Sequence, residues 1–138
     1  MVLNKKQKIF FIFFGCTILL FSDQWLKIIA VKEKNFQPNF GLAFSWPLPM
    51  PMITIFGFLI LILIAYFLIK KITENKNLNL LWLAGALIFT GALSNLIDRL
   101  AYGYVIDYLN FYYWYNNLAD ILITVGSVLA IYYLTRKK

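Results

Sequence analysis

The sequence contains no histidine and a single cysteine among its 138 residues. Without histidine, the Ser-His and Cys-His pairs of common hydrolases and most zinc sites are excluded. A lone cysteine cannot form an intramolecular disulfide bond, so cysteine pairing does not indicate a redox compartment. Any catalysis by this chain must therefore depend on its other polar groups, such as carboxylates, amides and hydroxyls.

Charge is also scarce. Charged residues make up 14% of the sequence and hydrophobic residues 62%, whereas a soluble domain carries about 25% charged residues. So little charge cannot cover the surface of a small water-soluble particle, which predicts an integral membrane protein. The formal net charge of +7 does not indicate a nucleic-acid partner, because the basic residues form short clusters between long apolar runs.

Four apolar stretches are long enough to cross a membrane, which takes about 20 helical residues. They run from about Ile9 to Val31, Met52 to Ile69, Leu78 to Arg99 and Leu118 to Leu134. A chain of this length has room for one domain. We therefore predict an all-α membrane protein in which residues 1–138 form a single domain of four transmembrane helices.

The basic residues predict the orientation of these spans. Nine of the 13 lie before the first span, between the second and third, or after the fourth: Lys5, Lys6, Lys8, Lys70, Lys71, Lys76, Arg136, Lys137 and Lys138. By the positive-inside rule, both termini should be cytoplasmic. Five of the six acidic residues then lie at the outer face: Asp23, Glu33, Asp98, Asp107 and Asp120. The outer boundary also carries many aromatic residues, Trp46 and Trp114 among them, as an interfacial belt would.

Two outer segments complete the predicted architecture. Residues 32–46 contain asparagine, proline and glycine among aromatic residues, and we expect a short β-like or irregular element there. Residues 102–117 are amphipathic and are expected to lie along the membrane interface.

Two of the outer acids are candidates for chemistry, because ionisable residues are costly near a membrane span. Asp107 lies in an apolar sequence without a basic neighbour, and Asp120 lies near the start of the fourth span. A short connection can bring them together. Two carboxylates in a poorly hydrated pocket share a proton, so one activates water while the other polarises a carbonyl group. This arrangement hydrolyses amides without histidine or metal.

Structural interpretations of the same polar residues stay open. Asn117 and Asp120 fit an N-cap and its third helical residue. Asp23 and Lys27 have the i, i+4 spacing of a helical salt bridge, and the adjacent Asp98 and Arg99 are more simply a structural ion pair or headgroup contact. These interpretations assign no catalysis.

Asn95 lies on the third predicted helix, three residues before Asp98. That helix also carries Gly85, Gly91 and Ala92, small residues that allow close packing of helices. The Asn95 amide is therefore expected to form hydrogen bonds across the bundle.

The chain resembles the lipoprotein signal peptidases (signal peptidase II), which are membrane aspartic peptidases. The resemblance covers five motifs in chain order: D-Q-W-L-K at 23–27, N-F-G-L-A-F at 39–44, G-A-L-S-N-L-I-D-R-L at 91–100, Y-V-I-D-Y at 104–108 and N-L-A-D at 117–120. The family patterns they match are D-x-x-x-K, N-x-G-x-A-F, G-A-L-G-N-x-x-D-R-L, V-V-D-F and N-x-A-D. Five motifs at the ends of the expected spans make the resemblance specific.

The resemblance implies a fold and a reaction. The fold is a four-helix bundle with an extracytoplasmic β-cradle. The substrate is a prolipoprotein whose cysteine carries diacylglycerol, and the amide bond before that cysteine is cleaved. The location is the bacterial inner membrane, with the active site at the outer face. We expect a monomer among membrane phospholipids, with no metal, no cofactor and no nucleic acid.

The resemblance also implies roles for individual residues. It makes Asp107 and Asp120 the catalytic pair. The supporting residues are Asn39 and Gly41, which would hold the substrate backbone; Asn95, Arg99 and Asn117, which would position substrate and carboxylates; and Asp23 and Lys27, which would brace the first helix.

Three features depart from the family pattern. Ser94 replaces a glycine, Asn116 replaces a phenylalanine, and the segment between Asp107 and Asp120 is short. The alternative to catalysis is a small membrane protein, or an inactive relative, whose acids form a structural cluster.

Overall fold

The computed structural model of the chain describes residues 4–41, 49–74 and 80–136. In chain order the helices are α1 (Lys5–Glu33), α2 (Met50–Thr73), α3 (Leu80–Tyr102) and α4 (Leu118–Arg136). The strands are β1 (Gln37–Asn39), which follows α1, and β2 (Val105–Asp107), β3 (Leu109–Asn110) and β4 (Tyr115–Asn116), which lie between α3 and α4.

The four predicted spans are confirmed as four helices, each long and apolar enough to cross a membrane. Each helix covers its predicted span and extends past it at one or both ends, except that the predicted start at Leu78 falls outside the described residues. Lys76, Lys137 and Lys138 of the basic clusters also fall outside them. Helices α1 and α2 are antiparallel, since Lys5 at the start of α1 donates from Nζ to the carbonyl oxygen of Ile72 near the end of α2, at 2.8 Å.

Helix α3 is the centre of the bundle. In its most apolar 18-residue window 44% of residues are buried, against 6% in α1 and 11% in α2. The two peripheral helices expose large apolar side chains, which include Phe10, Phe13, Phe21, Ile62 and Leu63. Such faces would be unfavourable in water and fit a hydrocarbon solvent.

Small residues let α3 and α4 approach closely, as expected for helix packing in membranes. A side chain on Gly91 of α3 would collide with the carbonyl oxygen of Ala119 on α4. A Cβ on Gly126 of α4 would lie 2.7 Å from the carbonyl oxygen of Ala84 on α3. The two glycines thus bring the backbone at the start of α4 against α3, where Asn95 lies one turn beyond Gly91.

The outer segments form two small antiparallel sheets. Strand β1 pairs with β2, with Asn39 opposite Val105 and Gln37 opposite Asp107. Strands β3 and β4 form a hairpin, with Leu109 opposite Asn116. The predicted β-like element is therefore confirmed at residues 37–39, while Trp46 and the rest of that prediction from residue 42 onward lie outside the described residues.

The segment predicted to lie along the interface consists of β2 and this hairpin. Tyr112 and Tyr113 at the hairpin tip are 87% and 83% exposed. Exposed aromatic rings at this point suit a membrane–water boundary. The interfacial placement of the segment itself stays a prediction.

Candidate active site

Asp107, the last residue of β2, is held by two side-chain amides. Nδ2 of Asn39 donates to its Oδ2 at 3.0 Å, and Nδ2 of Asn117 donates to its Oδ1 at 2.6 Å. The residue is only 3% exposed, and among the described residues it forms no salt bridge. A buried carboxylate is thus stabilised by neutral donors instead of a paired cation.

Backbone contacts fix the orientation of both amides. Oδ1 of Asn39 accepts from the Gly41 backbone N–H at 3.0 Å, in the local turn that asparagine favours. Oδ1 of Asn117 accepts from the Asp120 backbone N–H at 2.9 Å, which makes Asn117 the N-cap of α4. Because the oxygens are occupied by N–H groups, the amino groups must face Asp107.

Asp120 lies in the first turn of α4, half-buried. Its Oδ1 accepts from Nδ2 of Asn95 at 2.8 Å, and Oδ1 of Asn95 accepts from Nζ of Lys27 at 3.2 Å. Asn95 therefore forms hydrogen bonds to two other helices, as the sequence predicted. The Asp120 carboxylate also accepts a hydrogen bond from the Asn117 backbone, so Asn117 and Asp120 contact each other reciprocally at the start of α4.

Burial raises the pKa of Asp107 from 3.8 to about 6. This net value already includes the hydrogen bonds from Asn39 and Asn117 and the charge of Lys27, which lower the pKa, and the charge of Asp120, which raises it. The desolvation of the carboxylate outweighs the donors that stabilise it. Asp107 therefore titrates close to neutral pH and is electrostatically coupled to Asp120.

Arg99 lies beside this pair, near the end of α3. Its Nη2 donates to the Gly41 carbonyl oxygen at 3.2 Å and its Nη1 to the Asn95 carbonyl oxygen at 3.4 Å. Its Nε is buried and has no hydrogen-bond partner among the described residues. The guanidinium group thus joins α3 to the segment after β1 and retains an unused donor.

A second acidic cluster lies deeper and contains Asp23, Lys27 and Asp98. Nζ of Lys27 is 2.7 Å from Oδ2 of Asp23 and 2.7 Å from Oδ2 of Asp98, and all three side chains are at most 1% exposed. The predicted Asp23–Lys27 bridge is confirmed. Asp98 is in a structural ion pair as expected, but its partner is Lys27 and not the adjacent Arg99, whose guanidinium group points to Gly41.

Sequence reasoning missed three side chains of this region. Nε2 of Gln24 donates to Oγ of Ser94 at 2.8 Å and to Oδ1 of Asp98 at 3.0 Å. Ser94 and Tyr108 both donate hydroxyl groups to Asp23. Gln24 and Ser94 could have been identified as polar residues within apolar helices. Tyr108 could have been identified by its position next to Asp107.

The resemblance placed Asn39 and Gly41 on the substrate backbone. In the structure the Asn39 amide contacts Asp107 and the Gly41 N–H, and the Gly41 carbonyl oxygen accepts from Arg99. Their described contacts therefore lie within the protein. Across the described residues, no group of three or more carboxylate or cysteine side chains is arranged to hold a metal ion.

Comparisons with known proteins agree on one family. The family model described as signal peptidase (SPase) II matches residues 15–136. The lipoprotein signal peptidase of Acinetobacter baumannii (strain SDF) is 33% identical, over 87% of this chain and 81% of its own. That of Pasteurella multocida (strain Pm70) is 36% identical, over 77% and 68%.

A solved bacterial membrane enzyme has the same fold, with a TM-score of 0.81 at 27% identity over 93% of this chain and 89% of its own. The family match spans most of the chain, including both candidate carboxylates and every helix that positions them. The chain belongs to the signal peptidase II family.

Proposed function

We propose that this member of the signal peptidase II family removes signal peptides from bacterial prolipoproteins by an aspartic mechanism, with Asp107 and Asp120 as the catalytic pair. The family supplies the reaction, the proteolytic processing of lipoprotein precursors. The observation that carries the assignment of the pair is the Asn117 side chain. It donates to the Asp107 carboxylate and accepts from the Asp120 backbone, so one amide holds both residues in register.

The two carboxyl groups differ in a way that divides the work. Asp107 accepts a hydrogen bond at each oxygen, which favours its ionised form as a general base. Among the described residues Asp120 accepts one side-chain hydrogen bond where Asp107 accepts two, so Asp120 is the better suited of the pair to hold the shared proton. One base and one acid side by side are what amide hydrolysis requires.

The reaction then proceeds by addition and elimination. Asp107 takes a proton from a water molecule as the water oxygen attacks the scissile carbonyl carbon, and the Asp120 proton stabilises the developing oxyanion. The tetrahedral intermediate collapses when a carboxyl group delivers a proton to the leaving nitrogen and the C–N bond breaks. The products are the free signal peptide and a new amino group on the lipid-modified cysteine.

By the resemblance, the substrate bond precedes a cysteine that carries diacylglycerol. Arg99 is the candidate contact for the substrate by the same resemblance, and its guanidinium group reaches the Gly41 carbonyl oxygen in the segment after β1. Asn39, Asn95 and Asn117 support the carboxylates, and Lys27 acts on Asp120 through Asn95. The chain acts as a monomer in this proposal.

The active site faces the outer side of the inner membrane and both termini are cytoplasmic. Lys5, Lys70 and Lys71 lie at the opposite end of the bundle from Asp107, as the positive-inside rule requires. Reporter fusions after Lys71 should behave as cytoplasmic and those near Trp114 as external. A cytoplasmic signal near Trp114 would overturn this orientation.

A purely structural role for the acids is not favoured. That description suits Asp23 and Asp98, which share a buried cation. N-capping by Asn117 does occur, but it occupies the amide oxygen and leaves the amino group for Asp107, so capping and positioning coexist in one side chain.

The proposal is tested with purified protein reconstituted in phospholipid. A prolipoprotein bearing diacylglyceryl-cysteine and the same precursor without the lipid are offered as parallel substrates, and mass spectrometry locates the cut. Cleavage before the modified cysteine by the wild type, and none by Asp107→Asn, is the expected result. Full activity of folded Asp107→Asn would reject Asp107, and Asp98 would become the next candidate.

A further inference from the structure

Asp23 has an unusually complete set of hydrogen-bond donors for a carboxylate within a membrane bundle. Its Oδ2 receives the Ser94 hydroxyl at 2.6 Å and the Lys27 ammonium at 2.7 Å. Its Oδ1 receives the Tyr108 hydroxyl at 3.0 Å and the Ala119 backbone N–H at 3.3 Å. These donors come from α1, α3, α4 and the residue after β2, so one buried carboxylate joins four parts of the fold.

The first turn of α4 depends on this arrangement. A helix begins with backbone N–H groups that have no partner inside the helix. Here the Leu118 N–H donates to the Tyr108 hydroxyl oxygen at 3.2 Å, the Ala119 N–H to Asp23, and the Asp120 N–H to Asn117 at 2.9 Å. Three successive amides thus have three acceptors from separate residues, and the third amide belongs to Asp120 itself.

We propose that Tyr108 is a positioning residue for the reaction, whose hydroxyl group sets the separation of Asp107 and Asp120. Tyr108 directly follows Asp107, and its hydroxyl oxygen contacts the amide two residues before Asp120. The same hydroxyl donates to Asp23, which also holds the Ala119 amide. Ser94 fixes the other oxygen of Asp23 and so completes the support. This inference rests on the proposed function.

The Tyr108 hydroxyl is suited to a fixed position. It donates one hydrogen bond and accepts another, so its proton has a single direction. Burial, with the charge of Asp23 acting in the same direction, raises the pKa of Tyr108 above its ordinary value. The group therefore keeps its proton throughout the range in which the carboxyl pair works.

A helix cap that only stabilises the fold would have a different kinetic signature from a positioning residue. Loss of stability lowers the amount of folded enzyme but leaves the rate per folded molecule unchanged. A shift in the separation of two carboxyl groups lowers kcat, because general acid and base catalysis depends strongly on geometry, and it leaves substrate binding little changed. The split between kcat and KM therefore separates the two roles.

The test compares Tyr108→Phe with wild type in reconstituted lipid, with folded enzyme quantified in each sample. Phenylalanine keeps the ring and removes only the hydroxyl. The V-V-D-F pattern carries phenylalanine at this position, so the positioning role belongs to this chain, in which Ser94, the other hydroxyl on Asp23, also replaces a family glycine. We expect kcat to fall about tenfold with KM within about twofold of wild type. Tyr113→Phe is the matched control, because Tyr113 is exposed at the hairpin tip, and it should retain wild-type kinetics.

Ser94→Ala provides the second arm, since its hydroxyl acts on the same carboxylate. Its kcat should fall by a smaller factor. The double variant should lose less than the product of the two single losses, because both hydroxyls act through Asp23. If Tyr108→Phe yields no folded protein, the kcat of Ser94→Ala decides the question alone.

The outcomes separate the two proposals. A wild-type enzyme that does not cleave the lipid-modified precursor overturns the proposed function. Where the wild type cleaves, a kcat for folded Tyr108→Phe within threefold of wild type overturns the positioning role. A rise in KM that accounts for the whole loss also overturns it, since the hydroxyl would then act in substrate binding.

Discussion

The molecule contains two pairs of carboxylates that differ in what compensates their charge. Asp23 and Asp98 share the ammonium group of Lys27 at 2.7 Å and are fully buried. Asp107 and Asp120, a short distance away in the same bundle, are held by the neutral amides of Asn39, Asn117 and Asn95. One pair has a cation between its members, and the side-chain hydrogen bonds described for the other pair all come from neutral amides.

This difference separates a group that holds a fold from a group prepared for chemistry. A buried carboxylate in direct contact with a cation is part of an ion pair that joins elements of the fold. A buried carboxylate with only amide donors can still exchange a proton near neutral pH, as the raised pKa of Asp107 indicates. The bundle thus uses Lys27 to bridge one pair of carboxylates and leaves the other pair available to share a proton.

The largest expected effect comes from neutralising the uncompensated pair. Asp107→Asn and Asp120→Asn should each reduce cleavage by at least about 10³-fold, and the double variant should be little worse, because residues that act as a unit are strongly non-additive. Single-turnover cleavage of a lipid-modified precursor measures all three. Losses that multiply in the double variant would show that the two residues act independently.

The same variants need a stability control. The hydrogen bonds of the flanking amides predict how large the change in stability should be. The amino group of an asparagine at 107 would face the amino group of either Asn39 or Asn117. Neither neighbour can turn its oxygen toward it, because both oxygens already accept backbone N–H groups. One hydrogen bond is lost, at a cost of about 1 kcal/mol. Denaturant unfolding in detergent should detect this small change, which is far too small to explain the loss of cleavage.

The second prediction removes the cation from the compensated pair. Lys27→Met keeps a long apolar side chain but leaves Asp23 and Asp98 buried without their shared ammonium group. Breaking a buried ion pair by removing one partner costs about 3–5 kcal/mol. We expect a marked fall in folded protein, measured by chromatography and thermal unfolding.

Asp98→Asn is the matched control for Lys27→Met. It removes one of two negative charges and leaves Lys27 paired with Asp23, so it should destabilise the protein less. If Lys27→Met were as stable as the wild type, the structural assignment of this cluster would be wrong.

The sequence predicted the parts of this arrangement that depend on local spacing. The i, i+4 rule identified the Asp23–Lys27 bridge, and hydrophobic runs located the four helices. The hydroxyl of Ser94 on Asp23 could not be predicted in this way, because the two residues are 71 positions apart. Their contact depends on the rotation and depth of two helices, which apolar patterns leave undetermined since lipid-facing and core-facing residues are alike.

Asn117 shows why the candidate site was only partly predictable. Its sequence context fits an N-cap, and the resemblance implies a positioning role. An amide has an acceptor oxygen and a donor amino group, so Asn117 caps α4 with its oxygen and contacts Asp107 with its amino group. The sequence shows the residue type, but the partner of each end follows only from the β2–α4 geometry.

The third prediction concerns the pKa of Asp107, the carboxylate that is held by amides and not by a cation. Carbon-13 NMR of labelled aspartate carboxyls in detergent should show Asp107 titrating near pH 6. Asn39→Ala should raise this pKa, since it removes a donor to the ionised form, and Asp120→Asn should lower it, since it removes a negative charge. Shifts in the opposite directions would contradict the described network.

The titration has a consequence for stability. The pKa of Asp107 is raised from 3.8 to about 6 in the folded protein, so the folded state binds a proton more tightly than the unfolded state. The contribution of this group to stability is present in full below about pH 4 and is lost as pH rises through about 6. Asp107→Asn should remove this part of the pH dependence of unfolding.

The smallest expected effect is that of chelators on cleavage, for which we predict no change. A cation placed at Asp107 would face the amino groups of Asn39 and Asn117, which already donate to both carboxylate oxygens and would repel it. Hard cations need several oxygen ligands turned toward them, and the described residues offer no cluster of three acids. Cleavage rates measured across increasing EDTA should therefore stay within about twofold of the untreated rate. The Asp107→Asn variant gives the background rate. Loss of cleavage in EDTA that is restored by added Zn²⁺ or Mg²⁺ would mean that a metal supplies the charge between the carboxylates. In that case both pairs in this bundle would be compensated, and the two-aspartate mechanism would have to be abandoned.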